Sequence, residues 1–284
     1  MNYEEKFLTT GCPNLDYMLK GGFSNRGITQ IYGAAGTGKT QFALQLCLTV
    51  QLPILSGGYE AGAVYISTEG NFPIRRLQEL LRQSDIAKKF NITGDAIFVE
   101  TLIELPDLEN CITQRLPRLL ACQKIGLLVL DSIAAPYRAE YSNNEMKIRA
   151  KSLWNIGHQL HTLASEYKLT VICINQVSAV VSSTIQDDLQ ATEQPTLGIT
   201  WANIITNNFY LCRKDTHRYF HAMQSSYLPR CNIEYKITIF LSFCLVFSFV
   251  FYFKNNTKSV SFIDFSVSKC INANILEYKK HIII

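Results

Sequence analysis

Two periods of apolar residues alternate along the chain. Short runs at 27–32, 63–67, 96–99, 127–130 and 170–174 are dense in aliphatic and aromatic residues and predict strands. Residues 127–130 are apolar at every position, as a strand covered on both faces must be. Between these runs apolar residues recur at helical spacing, over 40–48, from Pro73 to Leu81, over 108–120 and over 144–167. Pro117 is a weak point in the third of these helices. A shorter helix opens at Pro13, carries Leu15, Met18 and Leu19 as its stripe and stops at Gly21-Gly22. Strand and helix alternate throughout, so the expected fold is α/β, a mainly parallel central sheet flanked by helices.

The sharpest chemical signal lies between the first long strand and the helix after it. Gly33-Ala34-Ala35-Gly36-Thr37-Gly38-Lys39-Thr40 fits the phosphate-loop pattern G-x-x-x-x-G-K-S/T at every fixed position. Its glycines let several N–H groups turn toward one anion, and the helix N-terminus behind them favours negative charge. Lys39 is placed to reach the β- and γ-phosphates of ATP, and the Thr40 hydroxyl to hold magnesium.

Three more polar residues stand at the C-terminal ends of predicted strands: Glu69, Asp131 and Gln176. In a parallel sheet those ends share one edge, so the three are expected to converge on the γ-phosphate. Asp131 follows four apolar residues, where phosphate-loop enzymes place the acid that orders the metal; a plain strand-ending turn cap is the alternative. Glu69 is a candidate to orient or deprotonate water, and Gln176 to sense the γ-phosphate or merely to cap its strand. His158 and His161 lie three apart on one helix, but no third metal ligand is placed beside them, and they read as rim histidines.

Charge narrows the possible partners. The net charge is +4, of which residues 233–284 hold +3 (six Lys against three acids), leaving a near-neutral body without a general pull on nucleic acid. The nine cysteines include no C-x-x-C pair and read as buried, reduced thiols of an intracellular protein.

In sequence order these pieces resemble the RecA-type strand-exchange recombinases and their eukaryotic paralogues. The resemblance rests on GITQIYGAAGTGKTQFALQLC, STEG, LLVLDSIAAPYRAEY, CINQV and LGITWAN and runs from residue 8 to about 238. It implies a RecA-type ATPase core over 1–238 that uses ATP and magnesium with low turnover. The family's nucleotide roles then fall on residues 33–40, Glu69, Asp131 and Gln176. The implied function is nuclear: homologous-recombination repair of double-strand breaks, supporting the main recombinase filament and acting on recombination intermediates. The implied partners are the sister "C" paralogue, the filament, and single-stranded or branched DNA met through the complex. An ATP-bound scaffold without hydrolysis, or a truncated inactive product, is the alternative. The family's two DNA-facing loops would lie near 139–145 and 177–196. The second holds Asp187, Asp188 and Glu193 and no Lys or Arg, a poor cradle for a phosphate backbone. The chain is therefore expected to modulate a partner's filament rather than drive strand exchange.

Two departures from the family pattern are expected. Its N-terminal helical domain has no counterpart, because the core begins within the first ten residues. Its closing strand and glycine-containing turn have none either. Residues 233–284 lack Gly, Pro, Arg and Trp, and 30 of these 52 are Phe, Ile, Lys, Asn or Tyr, the residues of A/T-rich codons. Residues 239–284 thus read as a non-family tail, translated non-coding sequence. The uncharged run at 237–253 also has the minimum length of a membrane span, although recombinational repair gives a membrane no role, and its Phe and β-branched content equally suits an orphan strand prone to aggregate.

Overall fold

The computed structural model describes residues 5–141, 143–179, 193–238 and 249–251. The chain opens with β1 (Phe7–Leu8), α1 (Pro13–Met18) and β2 (Phe23–Ser24), then enters β3 (Ile28–Tyr32) and α2 (Lys39–Thr49). Next come β4 (Gly62–Ser67), α3 (Ile74–Gln83), α4 (Asp85–Lys89), β5 (Ile97–Thr101), α5 (Leu105–Asn110) and α6 (Leu116–Cys122). The second half of the α/β region holds β6 (Ile125–Asp131), α7 (Ala134–Glu140), α8 (Met146–Tyr167) and β7 (Thr170–Asn175). A hairpin of β8 (Val177–Ala179) and β9 (Glu193–Pro195) leads to α9 (Gly198–Ala202), β10 (Asn207–Lys214), β11 (His217–Gln224), β12 (Cys231–Tyr235) and β13 (Phe249–Phe251).

One nine-stranded sheet runs β13-β12-β11-β10-β3-β7-β6-β4-β5, parallel from β10 to β5 and antiparallel from β10 to β13. Both faces are covered. Leu127 and Val129 join Phe42, Leu46 and Leu77 on one side, while Leu128 and Leu130 join Leu153, Ile156 and Leu160 on the other. The period of two delivers alternate residues to opposite helical layers, which explains why these strands read as unbroken apolar runs.

The expected helix over 108–120 is interrupted. A π-helical turn over Cys111–Arg115 separates α5 from α6. Pro117 offers no N–H to the carbonyl of Thr113 four residues back, so the ladder must widen there. The β10–β11 hairpin turns on Asp215, at φ 54°. Three residues of the apolar run read as tail form β13, with Phe251 opposite Cys231; aromatic and β-branched residues suit an edge strand. The rest of that run, with Asp187 and Asp188, lies outside the described residues. Among the described residues no helix is long and apolar enough to cross a membrane.

A buried amide ties the centre of the sheet together. Gln30 of β3 accepts from Asn175 Nδ2 of β7 and Trp201 Nε1 of α9, both at 2.8 Å, and donates to Asn208 Oδ1 of β10 at 2.9 Å. Gln30→Leu removes the acceptor of two buried donors. It is expected to cost about 2–4 kcal/mol, read as a lower urea midpoint. On the far half of the sheet His221 packs near Tyr210 and Tyr219, with Cys212 Sγ 3.4 Å from its Nε2. Burial, with Lys214 nearby, pulls the His221 pKa down to about 4. The unfolded chain therefore binds this proton first, and stability is lost as pH falls from about 6.5 toward 4. His221→Gln is expected to flatten that part of a stability–pH profile.

Candidate functional site

The phosphate loop follows β3 and shapes a cavity of about 570 Å³. Its backbone explains the glycines. Gly36 and Gly38 have φ of +76° and +100°, and a Cβ on Gly33 would stand 2.1 Å from the Leu211 carbonyl oxygen. The loop packs on β10 at that point, and only glycine fits. Glu69, Asp131 and Gln176 line the same cavity as Lys39 and Thr40, so the expected convergence is present in the folded chain.

Each side chain is held from behind. Thr40 Oγ1 donates to Asp131 Oδ2 at 2.7 Å, and Tyr65 Oη donates to the same oxygen at 2.5 Å. Glu69 Oε1 accepts from both Ser132 Oγ and Gln176 Nε2. Thr68 joins the ends of β4 and β6. Its N–H reaches the Asp131 carbonyl at 2.8 Å, its Oγ1 donates to the Ser132 carbonyl at 2.5 Å, and the same Oγ1 accepts from Ser132 N–H at 2.9 Å. Gln176 takes its place from Asn175, whose Oδ1 accepts from Gln176 N–H at 2.8 Å and from Thr196 Oγ1 at 2.6 Å.

Electrostatics set the ground state of the cavity. Burial raises the Asp131 pKa, and the hydrogen bonds from Tyr65 and Thr40 work against that rise. Burial lowers the Lys39 pKa, while Asp131, Glu69 and Glu193 favour its charge. Lys39 Nζ donates to the carbonyls of Gly33 at 2.8 Å and Ala34 at 2.9 Å, folded back on its own loop. Glu193 of the second loop accepts from Tyr210 Oη at 3.1 Å and acts on the Lys39 charge, which puts this acid on the phosphate-loop side of the sheet. The Asp131 carboxylate beside the Thr40 hydroxyl is a hard-oxygen pair that suits magnesium.

Five contributors escaped sequence reasoning: Tyr65, Ser132, Asn175, Tyr235 and Ile237. Tyr235 Oη donates to the Thr37 carbonyl, and Ile237 lines the cavity beside Gly38. Arg76 joins this strap to α2, with Nε to Gln41 Oε1 at 2.6 Å and Nη2 to the Thr238 carbonyl at 3.3 Å. Tyr65 and Asn175 sit in otherwise apolar strands, and a polar atom at such a position is a readable signal; the strap carried none. Elsewhere, His161 Nε2 meets the Ile204 carbonyl at 2.8 Å and His158 stacks on Trp154. Among the described residues no group of three or more metal-ligating side chains forms.

Comparison with known proteins agrees with this fold. A model of the Rad51 family matches residues 4–239. The chain belongs to the Rad51 family. It is 42% identical over 208 residues to the DNA repair protein XRCC3 of Bos taurus, covering 69% of this chain and 60% of that one. It is 35% identical over 271 residues to the DNA repair protein rhp57 of Schizosaccharomyces pombe, covering 81% and 77%. With the DNA repair and recombination protein RadA of Aeropyrum pernix the identity is 33% over 194 residues, covering 68% and 60%. The chain thus spans about 60% of the length of the XRCC3 proteins it matches. The α/β architecture with a mainly parallel sheet is that of a RecA-type recombinase paralogue.

Asp131 is the element of this Rad51-family site that works against stability, because burial disfavours its charge and no ion pair among the described residues includes it. In the nucleotide-free chain Asp131→Asn is expected to raise the thermal midpoint, by about 2–4 °C for each kcal/mol relieved, while weakening magnesium-dependent nucleotide binding. Differential scanning calorimetry and a nucleotide titration check the two halves.

Proposed function

We propose that this chain is an ATP-dependent switch in homologous-recombination repair, supporting a recombinase filament assembled by other family members. The observation that carries the reading is the bond from Gln176 to Glu69 inside the phosphate-loop cavity. It joins a candidate water-orienting carboxylate to the root of the 177–196 loop. In this reading Thr40 and Asp131 hold magnesium, and Lys39 leaves the Gly33 and Ala34 carbonyls for the phosphates. Magnesium, when bound, neutralises phosphate charge. Glu69, released by Gln176, positions water, and the Gln176 side chain carries the change to the β8–β9 hairpin. Slow turnover fits a switch better than a motor.

The relatives' names support the biological setting: XRCC3, rhp57 and Saccharomyces cerevisiae RAD57 are each called DNA repair proteins. The proposed partners are a sister paralogue, the recombinase filament and, through them, single-stranded or branched DNA; the proposed location is the nucleus. A second reading has a specific observation behind it. Glu69 Oε1 is already engaged by two donors, as suits a scaffold that binds ATP without cleaving it.

ATP binding and hydrolysis by the full chain separate the two. As a switch, wild type turns ATP over with magnesium, Lys39→Ala loses binding, and Glu69→Gln binds while turnover falls about 100-fold or more. Binding without turnover in wild type makes it the scaffold.

A further inference from the structure

The sheet has a second cavity, at the end opposite the phosphate loop. It lies beside the first residues of β4, β6 and β7 and measures about 370 Å³. That is close to the lower bound of small-molecule sites, which hold about 300–1,000 Å³. Lys6, Lys124 and Lys168 line it, with the rings of Phe7, Tyr59 and Tyr167, and no carboxylate does. In a body whose first 232 residues balance 21 bases against 20 acids, three lysines without an acid in one cavity are a local excess. None of the three enters an ion pair among the described residues. The nearest acids in the chain, Glu5, Glu60 and Glu166, lie outside the lining, and Glu5 accepts from Ser24 Oγ at 2.5 Å.

The aromatic wall is fixed. Tyr59 packs over Gly126, where an added Cβ would stand 2.8 Å from its ring, and its Oη lies 3.1 Å from Thr170 Oγ1. Gly126 is the second residue of β6, so the ring rests directly on the sheet. Tyr59 and Tyr167 are partly buried while the three lysines are exposed, and cations beside aromatic rings form a combination that takes a phosphate and an attached base together, because every base presents a π-face.

We propose that this cavity is a second nucleotide site, distinct from the phosphate loop. It takes one phosphate-bearing nucleotide unit, with the phosphate among Lys6, Lys124 and Lys168 and the base against Tyr59 and Tyr167. The unit belongs either to a single strand of nucleic acid or to a free mononucleotide. The proposal stands apart from the ATP-switch reading, since no residue of one cavity lines the other.

The test uses the full chain and two probes, fluorescein-labelled oligo(dT) read by anisotropy and thymidine monophosphate read by calorimetry. Thymidine monophosphate lacks the β- and γ-phosphates that Lys39 would reach. Lys124→Ala with Lys168→Ala changes only exposed side chains. The double variant is expected to bind the responsive probe roughly tenfold more weakly, and in the oligo(dT) arm the salt slope falls by about 0.7, the share of one single-strand phosphate. The corresponding double Lys→Arg variant should bind like wild type. A response with oligo(dT) alone identifies a strand as the source, and one with the mononucleotide alone a free ligand; either supports the site. The proposal is overturned if wild type binds neither probe at low salt. It is equally overturned if the double Ala variant binds both as wild type does, or if the Arg variant loses as much as the Ala variant. Binding of ATP by the same variants, followed in parallel, is expected to be unchanged.

Discussion

A single amide, Gln30, holds three parts of the molecule in register. It is about 1% exposed, on the strand that feeds the phosphate loop. A buried amide must find partners, and Gln30 finds them on the flanking strands and on α9, at Asn175, Asn208 and Trp201. Asn175 spends its remaining capacity on Gln176 N–H and on Thr196. The phosphate loop, the residue that touches Glu69 and the far end of the 177–196 loop are thus oriented by one hydrogen-bonded chain. Low local polarity makes each of these bonds strong when made and expensive when lost. A shift at Gln176 is therefore opposed by the whole network rather than by one contact.

The chemistry at the strand ends is arranged against this rigid background. Asp131 carries a charge that burial disfavours and two hydroxyl donors offset only in part. Lys39, the cation nearest in function, is turned onto its own loop's carbonyls. Burial disfavours the charge of both groups, a common signature of sites whose stability is given up for binding. The strap from β12 adds a second layer. Tyr235 bonds the loop's Thr37 carbonyl and Ile237 lies over Gly38, so the floor and one wall of the cavity come from parts of the chain about 200 residues apart.

The two ends of the sheet differ in charge because the strands are parallel. Every C-terminal strand end in the α/β region falls at the phosphate-loop edge, where Glu69, Asp131 and Glu193 gather around Lys39. Every N-terminal end falls at the other edge, where the lysines preceding β6 and β7 meet Lys6. The near-neutral charge of the first 232 residues conceals this division, which composition alone could not disclose.

Local sequence was enough for the phosphate loop, since glycine at Gly33, Gly36 and Gly38 with Lys39 and Thr40 has few other uses between a strand and a helix. It was also enough for the alternating elements and for the place of Glu69, Asp131 and Gln176 at or just past the strand ends, because strand-end position is a one-dimensional property. Pairing was beyond it. That Gln30 reaches Trp201 across 171 positions, that Ser132 and Gln176 share Glu69, or that Tyr235 caps Thr37 depends on which strands become neighbours. Strand order is chosen by burial over the whole sheet, where the favourable energy lies in nonlocal apolar contact, and no short window carries it. The chain's own letters therefore determined which polar groups stand at the strand ends, and the packed sheet decided which of them meet.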